Sequence, residues 1–432
     1  MKSKLLGLLI IAILVIGSVW TGIILDYIFF YPLFMSFIWI TGGIYFYFHW
    51  ELRNPGPDKT PKLKEYPFIS IIIPCYNEGE IVTDAIEAAT NQTYPNYEIV
   101  AINDGSRDNT GAVLDALAQK YERLRVIHLA ENQGKAMAMR MAAMVARGEY
   151  LVCVDGDAML HPNAAAYMVK PMIENPRVGA VTGNPRVRSR TTLLGKVQVG
   201  EFSSIIGLIK RAQRIYGQIF TVSGVIAAFR RRALQDCGYW DVNMVTEDID
   251  ISWSLQLRHW QIQFEPCAVT WILMPETIGG LWKQRKRWAR GGAEVYFKNI
   301  GKLWKWRNRR MWMLVADFCF STTWAFTYAI SVFLWGLGHF VTLPTQLSVA
   351  TIWPPAFWGI VLATVALLQF LVALLIERRY DHRPVTALFW TIWYPFFFWT
   401  LSLATTLAGL PSAFFAAPKQ RAIWDSPDRG FQ

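Results

Sequence analysis

The chain has 432 residues, is 53% hydrophobic with 20 Trp and 26 Phe, and still carries a formal charge of +11. That balance argues against an ordinary soluble enzyme and fits a soluble module flanked by membrane spans, in two or three domains. Its five cysteines, Cys75, Cys153, Cys237, Cys267 and Cys319, are scattered, without C-x-x-C or Cys/His metal spacing, so they read as buried free thiols in a reducing compartment.

Leu5 to Leu25 is an apolar run long enough to span a bilayer, with Lys2 and Lys4 before it. A cleaved signal peptide is the competing reading. The run is long for that, and Ile28 to Phe48 follows after a short Asp26-Tyr27 turn, so a two-span hairpin over residues 1–50 is preferred. Trp39, Tyr45, Tyr47 and Trp50 suit the interface belt. Residues 51–66, rich in Pro and Lys, form a linker.

From 67 to 275 the pattern changes. Phe68 to Ile73 is an Ile-rich strand, Glu80 to Thr90 a helix, Glu98 to Ile102 a strand, Asp108 to Lys120 a helix, Arg125 to Leu129 a strand and Gly134 to Ala146 a helix. Tyr150 then opens a strand buried on both faces that stops at Asp155-Gly156-Asp157. Strands alternating with helices imply βαβ units and a parallel sheet. Three polar clusters directly follow strands: Pro74 to Glu78, Asp104, and Asp155 with Asp157. They gather at the carboxyl edge, where open α/β sheets bind ligands. Two carboxylates around one glycine suit Mg²⁺ or Mn²⁺ held against a diphosphate, or else form a polar turn. The chain has no G-x-x-x-x-G-K-[ST] and no G-x-G-x-x-G, so a nucleotide is not held by a phosphate-binding glycine loop.

Phe220 to Phe229 reads as a strand-like run broken by Ser223-Gly224, with Gly224 permitting close backbone approach. Thr246 is a good N-cap for a helix to about Leu257, which puts Glu247 and Asp248 in its first turn. Gln284, Arg287 and Trp288 sit at i, i+3 and i+4 and share one helix face: an amide, a guanidinium and an indole. Residues 276–311 hold interface helices, and eleven Lys/Arg stand against two acids from Glu276 to Arg310. A basic amphipathic helix on anionic lipid is a second reading of this stretch, and both are expected to hold, since Trp282, Trp304, Trp306 and Trp312 suit the interface. Trp312 to Val341, Phe357 to Ile376 and Val385 to Leu410 read as about three further spans across 312–410, followed by a tail, 411–432. Asp317 lies near the start of the first of these, where snorkelling or capping is expected.

Basic residues at 2–4, 53–64, 302–310 and 378–383 are expected on the cytoplasmic side, and the Thr342–Ala356 loop, without Lys or Arg, outside. Five spans would put the tail outside despite Lys419, Arg421 and Arg429. Pro395 could instead split the last segment into a re-entrant hairpin.

Together these motifs resemble the inverting family of processive glycosyltransferases with a GT-A fold, to which cellulose, chitin and hyaluronan synthases belong. The shared pattern is an aspartate after the second strand, a D-x-D, a T-E-D and a Q-x-x-R-W, here Asp104, Asp155/Asp157, Thr246 to Asp248 and Gln284/Arg287/Trp288. The stretches VGAVTGNPRVRSR, VGEFSSIIGLIKRAQRIYG, FTVSGVIAAFRR, TEDIDISW, WILMPET and SPDRG are similar to the bacterial branch that makes a β-1,6-linked N-acetylglucosamine polymer for biofilm matrix.

The resemblance implies an α/β GT-A domain inserted between transmembrane helices, a cytoplasmic catalytic domain and a multi-pass protein of the bacterial inner membrane. It implies Asp104 as uridine contact, with Pro74, Tyr76 and Glu78 shaping the base pocket. Lys135 becomes a further nucleotide contact, Asp155 and Asp157 the sugar–nucleotide and metal pair, and Asp248, beside Glu247, the general base. Ser223 and Gly224 line the substrate, and Gln284, Arg287 and Trp288 face acceptor and diphosphate. UDP-GlcNAc is then the donor, a growing polysaccharide the acceptor and Mg²⁺ or Mn²⁺ the cofactor. A small two-helix membrane subunit is implied as partner, with cyclic di-GMP at the shared surface, and no nucleic acid is expected. Another β-glycan synthase, transfer of one sugar to a polyprenyl phosphate, and a nucleotide-sugar sensor or permease remain as alternatives.

Overall fold

A computed structural model describes residues 2–21, 23–352, 356–381, 389–390 and 394–416. Two helices lead, α1 (Lys2–Trp20) and α2 (Ile24–Phe46), and a π-helical turn, Tyr47–Glu51, closes the second. The α/β part follows as β1 (Ile69–Cys75), α3 (Val82–Thr90), β2 (Tyr97–Asn103), α4 (Thr110–Lys120), β3 (Leu124–His128), α5 (Lys135–Val145), β4 (Tyr150–Val154) and β5 (Met159–Leu160). Then come α6 (Ala164–Glu174), β6 (Val178–Val187), α7 (Leu193–Glu201), a π-helical segment Phe202–Leu208, α8 (Ile209–Tyr216), β7 (Ile226–Arg230), α9 (Arg231–Cys237), α10 (Glu247–Leu257) and β8 (Gln261–Ile272). The last helices among the described residues are α11 (Ile278–Leu303), α12 (Trp312–Leu337), α13 (Ala356–Glu377) and α14 (Tyr394–Phe415).

The eight strands form one sheet in the order β3-β2-β1-β4-β7-β6-β8-β5. β1 pairs parallel with β2 and β4, and β6 with β8, while β7 runs antiparallel between β4 and β6. Every residue of β1, β2, β4 and β6 is buried, so these strands are covered on both faces. Because β7 runs the other way, the loop that enters it, through Ser223 and Gly224, meets the carboxyl ends of β1, β2 and β4. The register Val154↔Ile226 fixes this edge. It is a GT-A-type, mostly parallel sheet flanked by apolar helices. All five cysteines are free, and Cys75, Cys153, Cys267 and Cys319 are buried.

Among the described residues, five helices are long and apolar enough to cross a membrane: Lys2–Trp20, Ile24–Glu51, Trp306–Leu337, Phe357–Glu377 and Phe397–Phe415. The membrane-facing surface of α1 leaves Leu5, Leu9, Ile13 and Ile16 exposed, as a span surrounded by lipid requires. Lys4 donates to the carbonyls of Ala413 and Phe414 at 3.0 Å and of Ala416 at 3.2 Å, so α14 ends beside the start of α1. The basic tail residues and the SPDRG stretch lie outside the described residues.

Four expectations need correction. Phe220–Phe229 is a strand only from Ile226. Before it, Val222 N–H donates to Ser252 Oγ and Ser223 N–H to Thr182 Oγ1, which takes the backbone out of the ladder. Thr246 does begin α10, but its hydroxyl makes no cap; it packs where a side chain at Gly291 would fall, 2.1 Å from a Cβ there. Asp317 lies in the second turn of α12, half-buried, rather than at its cap. Finally, α11 does not lie free on a surface. Arg285, Gly291, Ala293, Val295, Tyr296, Phe297 and Asn299 are buried, with Gly7 of α1 and Gly409 of α14 closing on the helix. Only Trp304 and Trp306 beyond it, and Trp312, stand in the open as interface residues do.

Candidate active site

The three loops expected at the carboxyl edge meet there. Loops after β1 and β2 are laced together: Asn77 N–H donates to Ser106 Oγ at 3.0 Å, Glu78 N–H to Thr110 Oγ1 at 2.8 Å, and Gly79 N–H to Asp108 Oδ2 at 3.1 Å. Asn77 sits at φ +53°, a left-handed turn that asparagine tolerates. Pro74 is the next-to-last residue of β1 and pairs with Ile102, Tyr76 is half-buried, and Glu78 is buried. The Glu78 carboxylate lies over the turn of the D-x-D, since a Cβ at Gly156 would stand 1.9 Å from its Oε2.

Asp104 is fully buried. Its Oδ1 accepts from the Gln133 amide at 2.8 Å and its Oδ2 from the Gly134 amide at 2.9 Å. Burial pushes its carboxyl up, and the two amides offset part of that. Asp104 therefore fixes the loop that enters α5, where Gly134 at φ +88° turns the chain and Lys135 opens the helix. Any nucleotide contact would use the second lone pairs of oxygens already holding that loop.

Lys135 gathers the rest. Its ammonium is ion-paired with Asp155, lies 3.5 Å from Glu247 Oε1, and donates to the Gly224 carbonyl at 3.1 Å. Burial works against its charge, and Asp155 and Glu247 overcome it and hold the lysine protonated. Asp155 is pushed up by burial, pulled down by Lys135 and pushed up again by Asp157. Asp157 is half-buried at the same turn. No group of three or more His, Cys, Asp or Glu side chains among the described residues could hold a metal by itself. Two carboxylates at a strand end, one tied to a lysine, suit a hard cation that keeps waters and takes its other ligands from a phosphate.

Asp248 lies across the Ser223–Gly224 loop: its Oδ2 would be 3.1 Å from a Cβ at Gly224. Its Oδ1 accepts from the Ile249 amide at 2.9 Å, and its carbonyl from Ser252 Oγ at 2.6 Å. Burial first, then Glu247, push the Asp248 carboxyl up to about 6, against the pull of Lys135 and Arg287. A carboxylate near 6 is ionised at neutral pH yet basic enough to take a proton.

On α11, Gln284 and Trp288 are half-buried and Arg287 is exposed, within reach of the field of Asp248. The residue between them that sequence reasoning passed over is Arg285. It is buried, lies 2.7 Å from Glu201 Oε1 of α7, and stacks 4.1 Å from the centroid of the Trp288 ring. Helical spacing shows that Arg285 and Arg287 face differently; which one is inward depends on Glu201, far away in the chain. Lys210 was missed as well, since a lysine on a short basic helix looks like a surface charge until its partner Thr182 arrives from β6.

The comparisons with known proteins agree with this geometry. Residues 70–238 match the glycosyl transferase family 2 model. The chain is similar to the poly-β-1,6-N-acetyl-D-glucosamine synthase of Staphylococcus epidermidis, with 37% identity over 412 residues that cover 94% of this chain and 98% of that protein. It is equally similar to the protein so named in Staphylococcus aureus, with 37% identity over 409 residues and the same coverage. Among solved structures, a mannosyltransferase from Pyrobaculum calidifontis in complex with GDP-Man and Mn²⁺ shares the fold, with a TM-score of 0.57, 20% identity, and 94% and 98% of the two chains covered. The chain is a glycosyltransferase and belongs to the poly-β-1,6-N-acetyl-D-glucosamine synthase family.

Proposed function

We propose that the protein polymerises N-acetylglucosamine from UDP-GlcNAc into poly-β-1,6-N-acetyl-D-glucosamine, processively and with inversion, and passes the product across the bacterial inner membrane for biofilm matrix. The observation that carries this reading is the convergence on Lys135: one ammonium joins the D-x-D, through Asp155, to the T-E-D, through Glu247, with Gly224 between.

In this reading Lys135, Asp155 and the loop anchored by Asp104 hold the donor, whose base lies among Pro74, Tyr76 and Glu78. Asp157, with Asp155, would hold Mg²⁺ or Mn²⁺, which when bound neutralises charge on the diphosphate. The acceptor sugar stacks on Trp288 with Gln284 beside it, and Arg287 attends the departing diphosphate. Asp248 takes the proton of the attacking hydroxyl. As that O–H bond breaks, the new C–O bond forms and the bond to UDP breaks, so one in-line displacement turns an α-linked donor into a β product. No covalent sugar–enzyme intermediate is needed.

Export is supported by a cavity of about 210 Å³ between α2, α12, α13 and α14, lined by Tyr31, Trp39, Trp324, Trp399, Ser204 and Gln369 among others. Aromatic faces with scattered hydroxyls and amides are a surface on which a sugar chain can slide. The basic linker and Lys302 to Arg310 support a cytoplasmic position for the catalytic sheet. A small membrane subunit, with cyclic di-GMP at the contact, belongs to the proposal through the resemblance alone.

The test is a purified-membrane assay with labelled UDP-sugars. Long polymer from UDP-GlcNAc that a β-1,6-specific hydrolase degrades supports the reading. Lipid-linked monosaccharide, glucose incorporation or no transfer each overturns it.

A further inference from the structure

One buried charge next to the site has no part in the mechanism above. Lys210 on α8 is only 6% exposed. Its ammonium donates to Thr182 Oγ1 of β6 at 3.0 Å, and among the described residues no other acceptor is seen for it. The same hydroxyl accepts from Ser223 N–H at 2.8 Å. A buried ammonium with one neutral acceptor is costly, and such a cost is tolerated where the charge is used.

Its surroundings indicate the use. The loop it supports, through Thr182, is the Ser223–Gly224 loop against whose other side the Asp248 carboxylate lies. The charged groups whose fields act most on Asp248 are Glu247 on its own helix, Lys135 from α5 and Arg287 from α11, and Lys210 on α8, across the Ser223–Gly224 loop, feels the field of Asp248. Burial pushes Lys210 down to about 7 and Asp248 pulls it back up, so each favours the other's charge. The next residue, Arg211, points the opposite way into Glu51 and Glu377 at the ends of α2 and α13. Thus α8 ties the ends of two spans to the floor of the site.

We propose that Lys210 is a positioning residue for the reaction: anchored on Thr182, it braces the Ser223–Gly224 loop and supplies the counter-charge that keeps the Asp248 carboxylate ready to accept a proton. The proposal rests on Asp248 being the base, and the experiment separates the two. Polymer synthesis against pH, and UDP affinity, are measured for the full-length parent, Asp248→Asn, Lys210→Met and Lys210→Gln, the last keeping a donor for Thr182. The expected result is UDP affinity within a few-fold of the parent in all four. Asp248→Asn is inactive, and the acidic limb of both Lys210 variants moves to higher pH by about one unit. Synthesis retained in Asp248→Asn overturns the base assignment and the proposal with it. Asp248→Asn inactive, with Lys210 variants that keep the parental limb at any height, overturns the proposal alone. Lys210→Gln losing UDP binding along with synthesis also overturns it, in favour of a purely structural role.

Discussion

Lys135 donates to the carbonyl of Gly224 at 3.1 Å while its ammonium is ion-paired with Asp155. The donor side and the base side of the site are therefore held at a fixed spacing by one side chain. Replacing Lys135 with Met leaves the half-buried Asp155 and the buried Glu247 without their ion-pair partner. UDP affinity should fall by about 2–5 kcal/mol, roughly thirtyfold or more. Calorimetric titration of UDP into the purified variant measures this; affinity equal to the parent would remove Lys135 from the donor site.

Asp248 gives a pH prediction. Its carboxyl is raised, from the ordinary aspartate range to about 6, so it loses its proton only above that value. Activity that needs the carboxylate is present above pH 6 and falls tenfold for each unit below it. Asp248→Asn should cost ~10²–10⁴-fold or more in synthesis and leave UDP binding intact. A flat profile from pH 5 to 8 would exclude this carboxylate as the base.

What could be read in the sequence was what local pattern carries. The apolar runs that end at Pro74, Asn103 and Val154 are strands, and their polar successors share one edge, because parallel strands put their carboxyl ends together. The T-E-D does begin a helix, with its acidic residues in the first turn. Contacts between distant segments were not legible. Thr246 looks like a capping threonine, and only the approach of Gly291 shows that its hydroxyl is spent on packing. Residues 220–225 have strand composition, and side chains of Thr182 and Ser252 override it. Lys210 and Arg285 look like ordinary surface cations until their partners arrive from β6 and α7.

Gly156 is a sharper probe of the metal-side turn than either aspartate. A Cβ there would stand 1.9 Å from Glu78 Oε2 and 3.2 Å from the Pro74 carbonyl. Gly156→Ala forces either the Glu78 carboxylate or the D-x-D turn to shift while both aspartates are kept. A displacement on the order of 1 Å can cost about 10²-fold in rate. Synthesis at saturating UDP-GlcNAc, with and without added Mn²⁺, reports it; wild-type activity would mean that the turn and Glu78 do not constrain the chemistry.

The ion network at the membrane edge predicts stability. Arg211 makes two 2.7 Å contacts with Glu51 and is also paired with Glu377, which is paired with Arg186, and all four are buried. Removing one partner of such a set costs about 3–5 kcal/mol, because a buried charge is left alone. Arg211→Met should lower the thermal midpoint in detergent by on the order of 10 °C. The buried thiols at Cys75, Cys153, Cys267 and Cys319 give the readout, since a thiol-reactive dye labels them only on unfolding. A midpoint within a degree of the parent would count against the network.

The last prediction concerns the tail, and it follows from Lys4. That side chain meets the last carbonyls of α14, where the helix dipole favours a cation. Ser3 and Gly7 of the same helix lie against Phe297 of α11, which carries the Q-x-x-R-W. Gly409 near the end of α14 also meets Ala289 and Arg290 of α11. The start of α1, the site-bearing helix and the end of α14 therefore share one level. Glu377 at the end of α13 reaches that same side through Arg211. The C-terminal ends of α13 and α14 thus both lie on the side of the catalytic sheet, and the tail is expected there too, where Lys419, Arg421 and Arg429 would join the other basic clusters as the positive-inside rule demands. A fluorescent protein fused after Gln432 should light up in the cytoplasm, and alkaline phosphatase fused there should be silent. Phosphatase activity would put the end of α14 outside and break the contact with Lys4 in the native membrane.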